Sequence, residues 1–162
     1  RRPKAINHDY RVKLTDSPNR IRQTGFSKVS TVPGRDMPEM VVILQQRKEN
    51  ADGSITAKRV GTHIYKFTQS TNGWVEGKTF DIMYGDITKQ PGYTKRMDLM
   101  RGDATIYARN SKGENVPVDE NGWADASATP THAIVKFDSS HGGAYIGSIG
   151  TTLWLDNIKW VY

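Results

Sequence analysis

Three aromatic residues lie where the sequence predicts loops, close to amides and carboxylates. Trp74 and Trp123 each follow an Asn-Gly pair, and Tyr93 follows a Pro-Gly pair. Asn121 and Asp125 flank Trp123. Exposed aromatic rings stack on the C–H face of a pyranose, and nearby amides and carboxylates bond its hydroxyls. The pattern predicts a carbohydrate-binding site built from these five residues. The alternative is that each aromatic ring folds back onto the core, where most such rings lie.

A carboxylate at Asp156 interrupts the apolar closing segment, residues 152–161. If it is buried it needs a partner, which could be calcium, an arginine or backbone N–H groups. Calcium takes about six to eight oxygen ligands, and β-sandwich loops often supply them. Asp156 is therefore a candidate ligand of a structural calcium ion, with hydrogen bonding to protein groups as the alternative. No EF-hand spacing occurs, and the histidines show no zinc-binding spacing.

No catalytic residue is predicted. The sequence contains no His-Glu-x-x-His, no Gly-x-Ser-x-Gly and no phosphate-binding glycine loop. Ser140 and His141 are adjacent, but neighbouring residues of a strand point to opposite faces and do not form a nucleophile–base pair. A glycoside hydrolase needs two carboxylates facing each other across a cleft. The many aspartates leave that enzyme as an alternative function.

Apolar residues recur with a period of two or in short runs, separated by turn-forming residues. This pattern predicts strands at residues 7–14, 39–47, 60–68, 79–84, 104–109, 131–138 and 152–161. The sequence predicts an irregular loop or an added β-ribbon at residues 15–37. It predicts a helical turn or an edge strand at residues 88–103. Turns are predicted at 110–115 and 119–122. The closing strand changes parity near Asp156 and Asn157, which predicts a β-bulge there.

Together these elements predict an all-β fold, an antiparallel β-sandwich forming one domain over residues 1–162. The aromatic residues assigned to core or inter-sheet packing are Tyr10, Phe137, Trp154 and Trp160. The run from Met40 to Leu44 is apolar on both parities, which predicts a central strand buried on both faces.

The charge and the distribution of apolar residues limit the kinds of binding partner that the sequence predicts. The formal charge is +6, from 23 Lys+Arg against 17 Asp+Glu. The basic residues concentrate in the first third, but alternation puts Arg11 and Lys13 on the solvent face of a strand, so we predict a solvated surface and no nucleic-acid partner. No run approaches the ~18 apolar residues that span a bilayer, so no membrane insertion is predicted. There is no cysteine, which excludes disulfides and thiol chemistry.

The C-terminal quarter carries a resemblance. Residues 134–140, followed by Gly147-Ser148-Ile149-Gly150-Thr151-Thr152-Leu153-Trp154-Leu155-Asp156-Asn157-Ile158, resemble the end of the carbohydrate metabolism domain of Bacteroidetes surface proteins. That family pattern is Gly-Ser-x-Leu-x-Val-Asp-Asp/Asn-hydrophobic, with a terminal Tyr. Arg2-Pro3-Lys4-Ala5 before an alternating strand is similar to the family's opening. The sequence departs from the pattern at residues 141–145, where a Lys/Asn-Gly-Asp loop is expected, and at Thr151, where Ser is usual.

The resemblance implies a jelly-roll-like β-sandwich similar to galactose-binding domains and carbohydrate-binding modules. It implies noncatalytic binding of a polysaccharide or other glycan by the C-terminal domain of an exported protein, often a lipoprotein, at the cell surface or in the periplasm. Other domains of the same polypeptide are the further partners it implies. In related jelly rolls the Asp of the closing strand helps to bind calcium, which again indicates Asp156. The alternative from a different class is a structural or adhesin-type domain that binds protein.

Overall fold

The computed structural model describes residues 1–162, and its regular elements are almost all β-strands. The strands are β1 (Ala5–Lys13), β2 (Asn19–Arg22), β3 (Ser30–Pro33), β4 (Glu39–Glu49), β5 (Ile55–Lys66), β6 (Val75–Asp81), β7 (Met83–Tyr84), β8 (Tyr107–Arg109), β9 (Asn115–Trp123), β10 (His132–Asp138), β11 (Ile146–Gly147) and β12 (Thr152–Val161). Two 3-10 turns, Lys95–Met97 and Gly102–Ala104, are the helical elements. No helix is long and apolar enough to cross a membrane.

The strands form three sheets, and the predicted all-β class is confirmed. The small sheet has the order β12-β1-β6, the large sheet has the order β10-β4-β5-β9-β8 with β7 also on β5, and the ribbon sheet has the order β11-β2-β3. Neighbouring strands are antiparallel except β5 and β9, which run parallel. This parallel pair departs from the purely antiparallel prediction. It forms because a long connection after β7 returns the chain to the edge of β5.

The small and large sheets pack face to face on one hydrophobic core. Alternate residues along β1 project into it, as the period of two in the sequence predicts. The core-forming side chains from β1 and β4 are Ile6, Tyr10, Val12, Met40, Val42 and Leu44. Burying such a side chain contributes about 1.5–3 kcal/mol, so this layer holds the two sheets together. β4 is buried on both faces from Glu39 to Gln45, as predicted for a central strand.

The predicted bulge in β12 is confirmed. Between the pairs Asn7–Lys159 and Asp9–Asp156, β12 contains one more residue than β1. Asn157 takes a positive φ of 52° there. The extra residue shifts the alternation of side chains along β12 by one position. Odd-numbered Leu155 packs against the core before the bulge, and even-numbered Trp160 packs against it after the bulge.

Two segments outside the predicted core strands also contain β-strands. Residues 119–122 were predicted to be a turn, but they lie within β9, so that prediction is wrong. A bulge at Asn121 accommodates the turn-forming residues, because Ala57 pairs with Glu120 and Lys58 with Gly122. Residues 15–37 contain the hairpin of β2 and β3, which matches the β-ribbon alternative.

The segment 95–106 covers the outer face of the large sheet, and a buried ion pair anchors it. Arg59 and Glu120 meet at 2.6 Å, and neither side chain is exposed to solvent. The guanidinium of Arg59 also donates to the carbonyl oxygens of Met97 and Asp98. Glu120 accepts a hydrogen bond from the amide of Met100. These contacts explain the 3-10 turns, since backbone groups of residues 97–100 bond to the sheet below instead of to a regular helix.

Candidate functional site

The predicted carbohydrate-binding residues do not meet on one surface. Tyr93 and Trp123 are half-buried, and Trp123 lies beside Arg59 of the buried ion pair. The guanidinium carbon of Arg59 lies 5.6 Å from the centre of the Trp123 ring. The hydroxyl of Tyr93 donates to the side chain of Asp98, whose carbonyl oxygen accepts from Arg59.

Asn121 and Asp125 are exposed at the end of β9. Asp125 accepts hydrogen bonds from the amide and hydroxyl of Ser127, and these bonds lower the pKa of its carboxyl. This is the geometry of an Asx turn, in which the carboxylate stabilises its own loop. The polar partners predicted beside Trp123 are thus exposed, whereas its own ring is half-buried.

Trp74 lies elsewhere, in the residue before β6 of the small sheet, and is 46% exposed. It directly precedes Val75, which packs against the core and pairs with Tyr10 of β1. From the alternation of side chains along β6, extended one residue back from Val75, we infer that Trp74 lies on the outer face, which also carries Arg11.

Trp154 belongs to the same outer face. The prediction that it packs in the core is wrong, since it is 37% exposed and pairs with Arg11 across β1 and β12. Leu153 and Leu155 on either side of it take the core face, so the period of two turns Trp154 outward. The guanidinium carbon of Arg11 lies 5.1 Å from the centre of the Trp154 ring. We call Trp74, Arg11 and Trp154 the tryptophan platform.

Polar groups at the β12 bulge border this platform. Asp9 accepts hydrogen bonds of 2.6 Å from the amide of Gly77 and of 2.6 Å from the side chain of Asn157. The Gly77 amide, followed by Asn157, lowers the pKa of the Asp9 carboxyl. Asp9 thereby ties β1 to both neighbouring strands at the bulge.

Asp156 is exposed on this face, opposite Asp9, and its Oδ1 accepts the amide of Asn157. No group of three or more His, Cys, Asp or Glu residues could hold a metal ion. Calcium needs about six to eight oxygen ligands, and no cluster of carboxylates at Asp156 contributes to such a set. Calcium at Asp156 therefore stays a prediction without a supporting set of ligands.

A cleft of about 420 Å³ lies on the outer face of the large sheet. Val41 and Ile43 of β4 with Ile134 of β10 form its floor, and the segment 95–106 forms one wall. A smaller pocket of about 250 Å³ continues it toward the glycine loop 142–144. Arg96 and Lys136 line both. No aromatic side chain lines either pocket.

Scans against protein-family models, curated proteins and solved structures find no match to this chain. The resemblance of the C-terminal quarter therefore stays a prediction. The two residues of the platform that the sequence did not predict are Arg11 and Trp154. The signal for Trp154 was its position between two leucines of one parity, and the signal for Arg11 was its odd position in an alternating strand.

Proposed function

We propose that the protein binds glycans without catalysis, and that the tryptophan platform is the contact surface. The observation that carries the proposal is the exposure of two tryptophans at the small sheet: Trp154 pairs with Arg11, and Trp74 directly precedes Val75, the partner of Tyr10. Large aromatic side chains are usually buried, so two exposed ones on one face are more typical of a binding surface than of packing.

The arrangement fits an extended sugar chain. β12 and β6 both flank β1, so the two indole rings are separated by roughly two strand spacings, about 10 Å. Each ring can stack on the apolar face of a pyranose. Arg11 supplies donors for sugar hydroxyls or for a carboxylate of an acidic glycan. Asp156 and Asn157, exposed at the bulge, supply acceptors and a further amide.

No observation favours a catalytic role over binding. The carboxyl groups of Asp9, Asp52, Asp86, Glu120 and Asp125 all have lowered pKa values. A general acid of a glycoside hydrolase needs a raised pKa.

The proposal also includes a finer description of the fold and of its context: a jelly-roll-like carbohydrate-binding module that serves as a C-terminal domain of an exported surface protein. These parts depend on the resemblance of residues 134–158.

The second candidate function is protein binding by the ribbon sheet, as in an adhesin. Three of its neighbouring apolar side chains face solvent, with Phe26 fully exposed, Ile149 90% exposed and Tyr145 68% exposed. Apolar side chains this exposed often mark interaction sites. The two candidates use different surfaces, so Phe26→Ser should leave glycan binding unchanged and reduce binding of a protein partner.

A glycan array of neutral and acidic polysaccharides, probed with the folded protein, tests the first candidate. We expect binding to one class of glycan, reduced in Trp74→Ala and Trp154→Ala and unchanged by EDTA, because the platform contains no set of metal ligands. A blank array with folded protein would contradict glycan binding and favour the protein-binding candidate. Binding lost with EDTA would contradict the platform as described.

A further inference from the structure

The cleft on the outer face of the large sheet has two chemically different ends. The floor and one wall are aliphatic, from Val41, Ile43, Ile134, Leu99 and Ile106. None of these side chains can bond a sugar hydroxyl, so a glycan seated there would lose hydrogen bonds to water without replacing them. The body of a ligand that fits this part is therefore apolar.

The other end, toward the glycine loop, is rich in hydrogen-bond donors. The amides of Gly142, Gly143 and Ala144 donate to no backbone carbonyl of the chain. Gly142 and Gly143 have φ angles of 97° and 109°, a backbone that residues other than glycine rarely adopt. The loop therefore leaves consecutive N–H groups available beside the pocket, and such groups bind anions.

Two basic side chains add to these amides. Arg96 directs Nε and Nη2 to one oxygen of Glu39, which leaves Nη1 free. Its side chain is 49% exposed, whereas Glu39 is 1% exposed. Lys136 Nζ lies 2.8 Å from Asp138 and keeps further protons for a ligand. The paired acids, Glu39 and Asp138, offset the charge of Arg96 and Lys136, and the donors left over are Nη1 of Arg96 and the remaining protons of Lys136.

The acidic residues are distributed unequally between the two compartments of the cleft. Asp98 and Asp103 line only the apolar compartment, together with Lys95, whereas Asp138 is the one acidic residue that lines the smaller pocket. The Asp138 carboxylate is paired with Lys136, and Asp98 accepts the hydroxyl of Tyr93. The two carboxylates of the apolar compartment disfavour an anion there, so an anionic group should lie at the other end, beside the glycine-loop amides. The cleft thus has a defined polarity.

We propose that this cleft binds an organic anion with an aliphatic body. The anionic head, a carboxylate, sulfate or phosphate, lies between Lys136, Arg96 and the amides of residues 142–144. The aliphatic body lies over Val41, Ile43 and Ile134. This site is separate from the tryptophan platform, which is on the other sheet, and it does not depend on glycan binding.

Titration of the ¹⁵N-labelled protein with octanoate, followed by amide chemical shifts, tests the proposal. Octanol has the aliphatic body without the charge, and acetate has the charge without the body. Octanol loses a charge-assisted contact and acetate loses most of the apolar contact, so each should bind at least about tenfold more weakly than octanoate. We expect saturable shifts at residues 41, 43, 134 and 142–144. Octyl sulfate and octyl phosphate, tested in the same way, should bind at the same residues as octanoate.

Two variants and a matched control complete the test. Lys136→Gln should weaken octanoate binding roughly tenfold, and Ile134→Ser should weaken it by removing part of the floor. Lys13→Gln, an exposed lysine on the small sheet, should leave binding unchanged. Melting curves show that each variant is folded. The proposal is overturned if octanoate gives no saturable shifts, if octanol binds as tightly as octanoate, or if Lys136→Gln binds like the Lys13→Gln control.

Discussion

The buried ion pair of Arg59 and Glu120 gives the sharpest prediction on stability. The Glu120 carboxylate accepts hydrogen bonds of 2.7 Å and 2.6 Å from Arg59, 2.8 Å from the side chain of Gln45 and 2.6 Å from the amide of Met100. Desolvation alone would raise the pKa of Glu120, but Arg59 and then Gln45 and Met100 outweigh it and lower the pKa. The group is therefore charged in the fold and fully bonded.

Glu120→Gln keeps the shape of the side chain and removes its charge. One carboxylate oxygen becomes an amide nitrogen that faces N–H donors, and the guanidinium of Arg59 stays buried without a counter-charge. Breaking a buried pair from one side costs about 3–5 kcal/mol. We expect the free energy of unfolding to fall by that amount, a large share of the stability of a domain of this size.

Urea denaturation of wild type and variants measures the change. The matched control is Glu76→Gln, an exposed carboxylate on β6, which should change stability by no more than about 0.5 kcal/mol. In the double variant Arg59→Met with Glu120→Leu no buried charge is left, so it should be more stable than Glu120→Gln. A loss below about 1 kcal/mol in Glu120→Gln, or a double variant less stable than the single one, would refute this account of the pair.

Three further predictions concern the core and the bulge. Burial is the main cause that lowers the pKa of His8 and of His63 below 6.5, so both are neutral in the fold. Their contribution to stability should be full above about pH 6.5 and should decline below it, because the unfolded chain then binds protons that the fold does not. His8→Phe should reduce that decline in melting curves recorded at a series of pH values. An equal decline in His8→Phe would exclude His8 as a cause. A Cβ at Gly61 would lie 2.8 Å from Ile82, so Gly61→Ala should cost about 1–3 kcal/mol in urea denaturation, whereas Gly122→Ala, where the nearest atom is 3.8 Å away, should cost well under half of that; equal losses would contradict the close packing. At Asn157, with φ of 52°, Val should cost about 1–3 kcal/mol and Gly clearly less by the same assay, and the reverse order would contradict the bulge.

Periodicity predicted the core strands because hydrophobic alternation follows directly from the pleat. β1 and β12 were predicted within about two residues of their observed bounds, and the parity change in β12 predicted its bulge. The strand β9 was missed because Asp119 to Gly122 have the composition of a turn. The strand forms because β9 pairs with β5 and β8, and the Glu120–Arg59 contact adds a link to β5 between residues far apart in sequence.

The binding surface was predicted in part. Trp74 was recognised from its turn context and is exposed, whereas Tyr93 and Trp123 are half-buried, Tyr93 bonded to Asp98 and Trp123 beside Arg59. No local signal predicts that Asp98 and Arg59 link these two rings, because their contacts join distant segments. The position of Trp154 could have been predicted from the leucines beside it, since a strand cannot turn three consecutive side chains to one face.

Affinity electrophoresis in gels containing single polysaccharides is the measurement that tests glycan binding by the tryptophan platform most directly. The protein should be retarded by at least one polysaccharide, and Trp74→Ala and Trp154→Ala should each migrate closer to the free mobility. The matched control is Tyr107→Ala, which removes an aromatic ring that is 62% exposed on the large sheet. Retardation should be unchanged in that variant. Retardation lost equally in Tyr107→Ala, or retained in both tryptophan variants, would contradict the platform.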